Sequence, residues 1–410
     1  MTNALHALTQ LPRNELRERG MENTPREIES QATLWIKNLE SLRKRENEIR
    51  TFIESSVLRE NREVVLMGAG SSSYIGLSVQ NLIRSKWSLE CEVVPTTDMI
   101  THYESILFKK KRYTFLSFAR SGNSPESLGA YVLTNRFCDR PNHILITCNR
   151  EGRLAKLAER DDRTLLIELL PETNDRGLAM TSSFTSMLMA AQVLAYIHDV
   201  DTYRRLLNRI SRSAKVVLED YSGELADICG LDFDRAVFLG SGALFGSAVE
   251  SQLKLQEMTS GRVICKADTF MGVRHGPRVV IDEKTLVVYF LSSDRWTRRY
   301  ELDLMKQVHA KKQGLRRIVV CENGDESEIG RYVDCVVDLS RKGAPGISDY
   351  CRPILDVLVG QLLGLFKSVS LGLKPDNPDK RGVIARVVEG VRIYDPDYFE
   401  RQGKFRVLFG

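Results

Sequence analysis

The chain has 410 residues, of which 42% are hydrophobic and 28% are charged, a composition typical of a globular protein with two cores of ordinary size. Its net charge of +5 is small, and basic and acidic residues are interleaved, which argues against a nucleic-acid surface and favours a small anionic ligand. The eight cysteines form no CxxC pair and have no histidine partners, so neither a disulfide scaffold nor a metal site is expected.

The N-terminus carries no apolar signal-like stretch, and no run of 18 apolar residues occurs. We therefore expect a cytoplasmic protein that does not span a membrane.

The first 60 residues have helical periodicity. Thr24-Pro25-Arg26-Glu27 has the pattern of a capping box with proline at the first helical position, and the segment is expected to pack on the main domain or on a partner subunit.

From residue 61, predicted strands at 64–67, 92–94, 113–117, 143–148 and 164–169 alternate with helices. This alternation indicates a parallel sheet covered by helices on both faces. The same order returns in the second half, where 236–242 repeats 64–70, and the spacing from Gly70 to Gly242 nearly equals that from Asn149 to Asn323. We therefore expect two tandem doubly wound α/β domains, divided into an N-terminal helical segment 1–60, a first domain 61–215, a second domain 216–372 and a C-terminal tail 373–410.

Two loops of the first copy are rich in glycine and serine. The strand at 64–67 runs into Gly-Ala-Gly-Ser-Ser-Ser at 68–73, and the strand at 113–117 runs into Arg-Ser-Gly-Asn-Ser at 120–124. Backbone N–H groups and hydroxyls at a helix start bind anions, so the two loops are predicted to close on one phosphate. The glycine spacing fits neither the dinucleotide fingerprint nor a P-loop, and the first loop alone is as often a simple helix cap.

The second copy carries candidate acid–base groups. Glu250, Lys254 and Glu257 share one face of a predicted helix, a pattern that usually belongs to a solvated ion pair. His275 follows Arg274 and is fixed by Gly-Pro at 276–277, which favours an imidazole that reaches into a cleft. A carboxylate and an imidazole opposite a phosphate site are the groups that an aldose–ketose proton transfer needs.

The motifs GAGSSS, FARSGNSPES, VESQLKLQE and VRHGP resemble the tandem sugar isomerase (SIS) family, and within it the galactosamine-6-phosphate deaminase/isomerases, over about residues 61–400. The resemblance implies flavodoxin-like domains and a homodimer with a shared active site. It also implies that Glu257 is the enolisation base and that His275 opens the sugar ring, with no metal or other cofactor. The implied phosphate ligands are Ser71, Ser72, Arg120, Ser121 and Ser124, and further substrate contacts are expected at Gly70, Asn123, Thr181, Ser182, Lys254 and Arg386.

Departures from glucosamine-6-phosphate synthase, a member of the same family, indicate the subgroup to which the chain is similar. Position 2 is not a cysteine, and the 60 residues before the first domain are too few for a glutamine-hydrolysing domain, so the chain is not expected to draw ammonia from glutamine. Where the synthase has a tail lysine that forms a Schiff base, Arg386 stands here, and a guanidinium stays protonated and cannot form an imine. Arg386 is expected to contact substrate or to form a structural salt bridge.

The resemblance therefore implies conversion of galactosamine 6-phosphate to tagatose 6-phosphate with release of ammonium. We expect the enzyme to be classified as a hydrolase, a deaminase and an isomerase. Two alternatives stay open. A plain ketose/aldose isomerase would use the same Glu257 and His275 and differ only in releasing no ammonia. A non-catalytic sugar-phosphate sensor would need neither residue.

Overall fold

The computed structural model describes residues 3–322, 324, 328–341, 346–388, 390–402 and 404–409, so Asn323 of the sequence repeat lies outside the described residues. The chain forms two compact units. The first-sheet unit comprises Lys37–Asn174, Ser186–Asp199 and Val383–Gly410, and the second-sheet unit comprises Met1–Ile36, Asp175–Thr185 and Val200–Gly382. The division of the chain into four consecutive segments stays a prediction.

The strands alternate with helices as the sequence pattern indicates. The strands are β1 Glu63–Gly68, β2 Cys91–Pro95, β3 Tyr113–Ala119, β4 Asn142–Thr147, β5 Thr164–Glu168, β6 Arg235–Leu239, β7 Ile264–Asp268, β8 Thr285–Phe290, β9 Arg316–Cys321, β10 Cys335–Asp338, β11 Ile393–Tyr394 and β12 Val407–Phe409. The helices are α1 Ala4–Thr9, α2 Arg13–Glu18, α3 Thr24–Arg43, α4 Glu46–Ile53, α5 Ser71–Trp87, α6 Thr96–Ile106, α7 Pro125–Phe137, α8 Arg153–Ala158, α9 Ser182–Ala195, α10 Val200–Asp220, α11 Ser222–Cys229, α12 Ala243–Met258, α13 Arg295–Ala310, α14 Pro353–Ser370 and α15 Pro396–Gln402.

The two large sheets have the same topology. The first has the order β2-β1-β3-β4-β5, and the second, read from its other edge, has the order β7-β6-β8-β9-β10. All neighbours in both sheets are parallel. This is the flavodoxin-like order, in which the chain reverses its direction of winding at the first strand of the unit. The predicted tandem doubly wound α/β fold is confirmed.

The buried faces of the strands and helices form the core of each unit. In the first-sheet unit, one cluster centres on Val65, Met67 and Phe115. In the second-sheet unit, a larger cluster surrounds Val287 and Tyr289. α14 is long and apolar enough to cross a membrane, but 89% of it is buried inside the protein, as expected of a core helix.

The start of α3 is held by a residue far away in the chain. α3 begins at Thr24 as the sequence predicts. The predicted capping box is wrong, because Thr24 and Glu27 form hydrogen bonds with residues remote in the chain and not with each other's backbone. The backbone N–H and the hydroxyl of Thr24 both donate to Asp376, each at 2.7 Å, and the Glu27 carboxylate accepts from the backbone of Arg176. A tertiary contact therefore replaces the local cap.

His143 on β4 is buried without a polar partner. Its ring lies between Phe115 and Tyr131, with centroids 5.4 and 4.5 Å away, and neither ring nitrogen forms a hydrogen bond within the described part of the chain. Burial lowers the pKa of His143 to about 3. The folded state therefore holds a neutral imidazole through the whole range in which the unfolded chain takes up a proton.

We expect His143→Leu to make the protein more resistant to acid. A histidine whose pKa is lowered on folding contributes stability that is complete above the unfolded pKa near 6.5 and is lost as the pH falls toward 3. Between pH 7.5 and 5 the wild type should lose about 2 kcal/mol of unfolding free energy through this group, and the variant should not. Urea titrations at both pH values measure the difference. The exposed His102→Leu is the control, and an equal pH response of H143L and the wild type would contradict the prediction.

Candidate active site

Two loops lie side by side at the carboxyl ends of β1 and β3. These strands are parallel neighbours, with Met67 paired to Ser117, and the strand order reverses between them. At such a switch point the N-termini of the following helices face a common crevice, where open α/β sheets bind phosphate groups.

The β1–α5 loop needs both of its glycines. A Cβ at Gly68 would lie 2.4 Å from the carbonyl carbon of Ser72, so only glycine lets the strand pass the first turn of α5. Gly70 has φ +54°, in the left-handed region that favours glycine. Ser71 and Ser72 therefore start α5 within this turn, where both are buried.

The β3–α7 loop is ordered by its own hydroxyls and by a neighbouring segment. Ser124 caps α7, with its Oγ accepting the backbone N–H of Ser127, and Ser121 Oγ accepts from the backbone of Asn123 at 3.3 Å. The Asn123 side chain in turn accepts the N–H of Arg153 at 3.0 Å. The amide of Asn149 donates to the Ser121 carbonyl at 2.8 Å, a support that the sequence did not reveal.

Arg120 and Arg386 meet beside this loop. Arg120 is 8% exposed, and its guanidinium donates to the backbone carbonyl of Arg386. The Arg386 side chain donates to Asn174 at 2.6 Å. The tail thus reaches the carboxyl end of β3 within the first-sheet unit, while substrate contacts of Arg386 stay a prediction.

We expect Ser124→Ala to weaken binding of a phosphate ester and also to loosen α7. Loss of a helix cap costs about 1 kcal/mol of stability, and loss of a hydrogen bond to a charged phosphate, worth about 1.5 kcal/mol, should raise KM about tenfold. Asp294→Ala is the matched control, because Asp294 caps α13 in the other unit by accepting from Thr297 at 2.9 Å. Kinetics and thermal melts separate the two effects. Equal KM changes in both variants would show that the cap alone matters.

Glu250, Lys254 and Glu257 form a row along α12. The Lys254 ammonium lies 3.3 Å from Glu250 Oε1 and donates to Glu257. The side chains of Glu250 and Lys254 are completely buried, and that of Glu257 is 17% exposed. The solvated ion pair, the usual interpretation of this spacing, is wrong here. The row runs from the interior to a carboxylate that small molecules can reach.

The ammonium of Lys254 keeps its charge in this setting. Burial alone would lower its pKa, but Glu250 and Glu257 outweigh burial and the pKa is raised. A protonated amine has no lone pair with which to attack a carbonyl. Lys254 is therefore suited to orient Glu257 and not to form an imine.

Two glycines of α14 hold α12 in place. A Cβ at Gly360 would lie 2.3 Å from the Ser251 side chain, and one at Gly364 would lie 2.9 Å from the Lys254 carbonyl oxygen. Their spacing of four residues puts both on one face of α14. The backbones of the two helices therefore approach closely next to the charged row.

His275 lies on an exposed turn after the short helical turn Gly272–Arg274. Gly276 has φ +118°, so the chain bends sharply directly after the imidazole. In the neighbouring Arg274, Nε and Nη2 are buried and have no hydrogen-bond partner in the described part of the chain. These two nitrogens form the edge of a guanidinium that is suited to donate to two oxygen atoms of one ligand. The sequence pattern did not single out Arg274.

Thr181 and Ser182 lie at the N-terminus of α9, where their hydroxyls donate to Asp175. Asp175 also accepts the backbone N–H groups of both residues, at 2.8 and 3.1 Å. Both side chains are completely buried. Their contact with substrate stays a prediction, and the hydrogen bonds to Asp175 give them a structural role at the start of α9.

The described residues contain no group of three or more His, Cys, Asp or Glu side chains that could hold a metal ion. All eight cysteines are free, and seven of them are buried. Burial raises the pKa of the Cys229 thiol to about 12. A thiol held protonated in this way is a poor nucleophile and a poor metal ligand.

Comparison with known proteins adds the family. Residues 57–197 match the SIS domain model. The D-galactosamine-6-phosphate deaminase AgaS of Escherichia coli O157:H7 is 34% identical over 374 residues, 90% of this chain and 95% of that protein. The AgaS of Shewanella sp. (strain ANA-3) is 31% identical over 94% of this chain and 95% of that protein. The fold also matches the crystal structure of tagatose-6-phosphate ketose/aldose isomerase from Escherichia coli, with a TM-score of 0.80 and 31% sequence identity. The match covers 91% of this chain and 96% of that one.

These relatives correct one expectation. The assignment to the hydrolases is wrong, because the relatives are named as deaminases and as a ketose/aldose isomerase. The predicted membership of the SIS family is confirmed, since the similarity extends over nearly the whole chain. The chain belongs to the SIS-domain family of the D-galactosamine-6-phosphate deaminases AgaS.

Proposed function

We propose that the protein is an isomerising deaminase that converts galactosamine 6-phosphate to tagatose 6-phosphate and ammonium in amino-sugar catabolism. The observation that carries the chemistry is the row on α12, where a reachable Glu257 carboxylate is backed by a buried, protonated Lys254. The names of the AgaS relatives support the choice of substrate.

The 6-phosphate binds to the two loops of the first-sheet unit in this proposal. Ser71 and Ser72 start α5, and Ser121 and Ser124 precede α7. Both helix N-termini therefore direct N–H groups and the positive end of the helix dipole at the anion. The guanidinium of Arg120 adds a permanent positive charge at the end of β3. Phosphate binding fixes one end of the sugar so that its C1 and C2 atoms can be positioned for proton transfer.

Glu257 acts as the base in the isomerisation step. In the open-chain aldehyde, the carboxylate removes the proton from C2 and an enol forms between C1 and C2. Return of the proton to C1 leaves an imine at C2, and addition of water there releases the nitrogen as ammonia and leaves the ketose. One molecule of amino sugar and one of water thus give one ketose and one ammonia. A positioned base of this kind is worth roughly 10² to 10⁴ in rate.

His275 opens the pyranose ring by moving a proton between the ring oxygen and the C1 hydroxyl. We propose that it does so in the active site of a partner subunit, which is supported by its position on an exposed turn. Subunit complementation tests this arrangement. Mixing inactive Glu257→Gln with inactive His275→Ala should restore activity, because each mixed dimer then holds one intact site. No recovery after confirmed subunit exchange would place both residues in one subunit's site.

The reaction itself is tested by offering galactosamine 6-phosphate and glucosamine 6-phosphate separately to the purified protein. Ammonium release that matches ketose 6-phosphate formation from the galacto epimer is the expected result. Ketose formation without ammonium from a non-amino aldose 6-phosphate would favour the plain isomerase, an activity that the name of the Escherichia coli structure supports. Sugar-phosphate binding with no turnover would favour a sensor. We propose that the reaction takes place in the cytoplasm.

A further inference from the structure

The second-sheet unit contains a counterpart of the phosphate loops. Gly242 precedes α12 with φ 58° and ψ −126°, almost the conformation of Gly70 before α5, φ 54° and ψ −130°. A Cβ at Gly240 would lie 2.2 Å from the Leu244 carbonyl oxygen, the same close passage that Gly68 makes. The loop after β8 ends at Asp294, which caps α13 as Ser124 caps α7.

We call this counterpart, residues 240–242 and 291–294, the second cradle. Its donors face carboxylates of the protein itself. The backbone N–H of Ser292 donates to Glu301 at 2.7 Å. The Ser292 hydroxyl and the Ser293 N–H donate to Asp349, the latter at 3.0 Å. The donors in the loop after β8 thus converge on two carboxylates.

The surroundings hold the Asp349 carboxylate firmly. Arg352 is completely buried and contacts Asp349 at 3.4 Å while donating to the Leu291 carbonyl at 2.7 Å. Glu322 accepts the backbone N–H of Ile347 at 2.9 Å and so anchors the segment that leads to Asp349. Glu301 is 1% exposed, whereas the Asp349 side chain is 19% exposed and lies at the mouth of the cradle.

We propose that this is a second oxyanion cradle closed by the protein's own Asp349, and that this carboxylate prevents the second-sheet unit from binding a phosphate ester. A carboxylate that accepts hydroxyl, N–H and guanidinium donors makes the contacts that a phosphate oxygen would make. A second anion beside it would meet like charge and occupied donors. Each chain therefore binds one phosphate ester, a count that also rests on the proposed function of the first loops.

Asp349→Ala is the decisive variant, because it empties the mouth of the cradle and leaves Ser292, Ser293 and Arg352 without their shared acceptor. Equilibrium dialysis of the full chain with radiolabelled inorganic phosphate should show one more phosphate bound per chain in the variant than in the wild type. Thermal melts should show that phosphate, at a concentration on the order of tens of millimolar, stabilises the variant more than the wild type. A ligand that binds only the folded state raises the apparent stability of that state.

Asp282→Ala is the matched control. Asp282 also accepts from its own loop, including the Thr285 hydroxyl at 2.8 Å, but it lies in the loop that precedes β8, at the amino ends of the strands and away from the cradle. It should lower thermal stability without adding a phosphate site. Asp349→Ser, which keeps a small polar group and removes the charge, decides the question if D349A does not fold.

The outcomes separate the two proposals. A folded D349A or D349S with the wild-type phosphate count and the wild-type thermal response overturns the closed cradle. A wild type that binds two phosphates per chain overturns it as well. If the first loops do not bind phosphate, the wild type binds none and D349A binds one, so the failure of the proposed function is distinguishable from failure of this inference.

Discussion

Replacing Glu257 by glutamine should lower kcat about 10³-fold, because an amide cannot accept the C2 proton and a positioned base supplies a factor of this size. Binding should survive, since the phosphate loops belong to the other unit. The measurement is ammonium release at saturating substrate, together with a calorimetric titration of an open-chain hexitol 6-phosphate that has no carbonyl group. Substrate deuterated at C2 adds a direct readout, because the wild type should move or exchange this deuterium and E257Q should retain it.

Two controls make this result specific. Glu283→Gln changes the charge of an exposed residue on the same unit and should leave kcat unchanged. Glu257→Asp keeps the carboxylate but shortens the side chain by one methylene, so it should retain part of the exchange at C2. Full turnover by E257Q would remove Glu257 from the mechanism and would direct attention to another base.

Lys254→Met should destabilise the second-sheet unit by about 3–5 kcal/mol, the usual cost of removing one partner from a buried ion pair. The substitution leaves Glu250 and Glu257 next to each other without the ammonium that lies between them. The packing volume changes little, so a loss of this size would report charge and not a cavity. Urea unfolding followed by tryptophan fluorescence and circular dichroism measures it.

The double variant Lys254→Met/Glu250→Gln isolates the cause of that loss. Removal of the completely buried Glu250 charge should return a large part of the stability, because a neutral amide has a much smaller cost of burial than a carboxylate. Turnover should stay low in both variants, since Glu257 has lost its orienting partner. A single variant as stable as the wild type would mean that the pair contributes nothing to folding.

The two sheets have the same topology but differ in the side chains of the loops at their switch points. Both units present glycine loops and helix N-termini at the switch point of a sheet. In one unit the loop after β3 offers serines and an arginine, and in the other the loop after β8 is filled by acidic side chains. The helix α12, which follows the second cradle, instead carries the row that ends at Glu257.

The sequence by itself determined the fold class, the strand and helix order, and the two phosphate-type loops. These features depend on local properties, namely the alternation of apolar runs with helical periodicity and the glycines and serines at fixed places in turns. The duplication was also visible, because Gly70 and Gly242 occur at equivalent points of the pattern. The shared face of Glu250, Lys254 and Glu257 followed from helix geometry alone.

Only the tertiary structure decided how these local features are used. Spacing could not tell that the charged row is buried, because its burial depends on Gly360 and Gly364 of a helix about a hundred residues later. The cap of α3 comes from Asp376, and the acceptor for Ser292 and Ser293 comes from Asp349. Hydrogen bonds and ion pairs depend on distances of a few ångströms between groups remote in the chain, and a linear pattern contains no record of those distances.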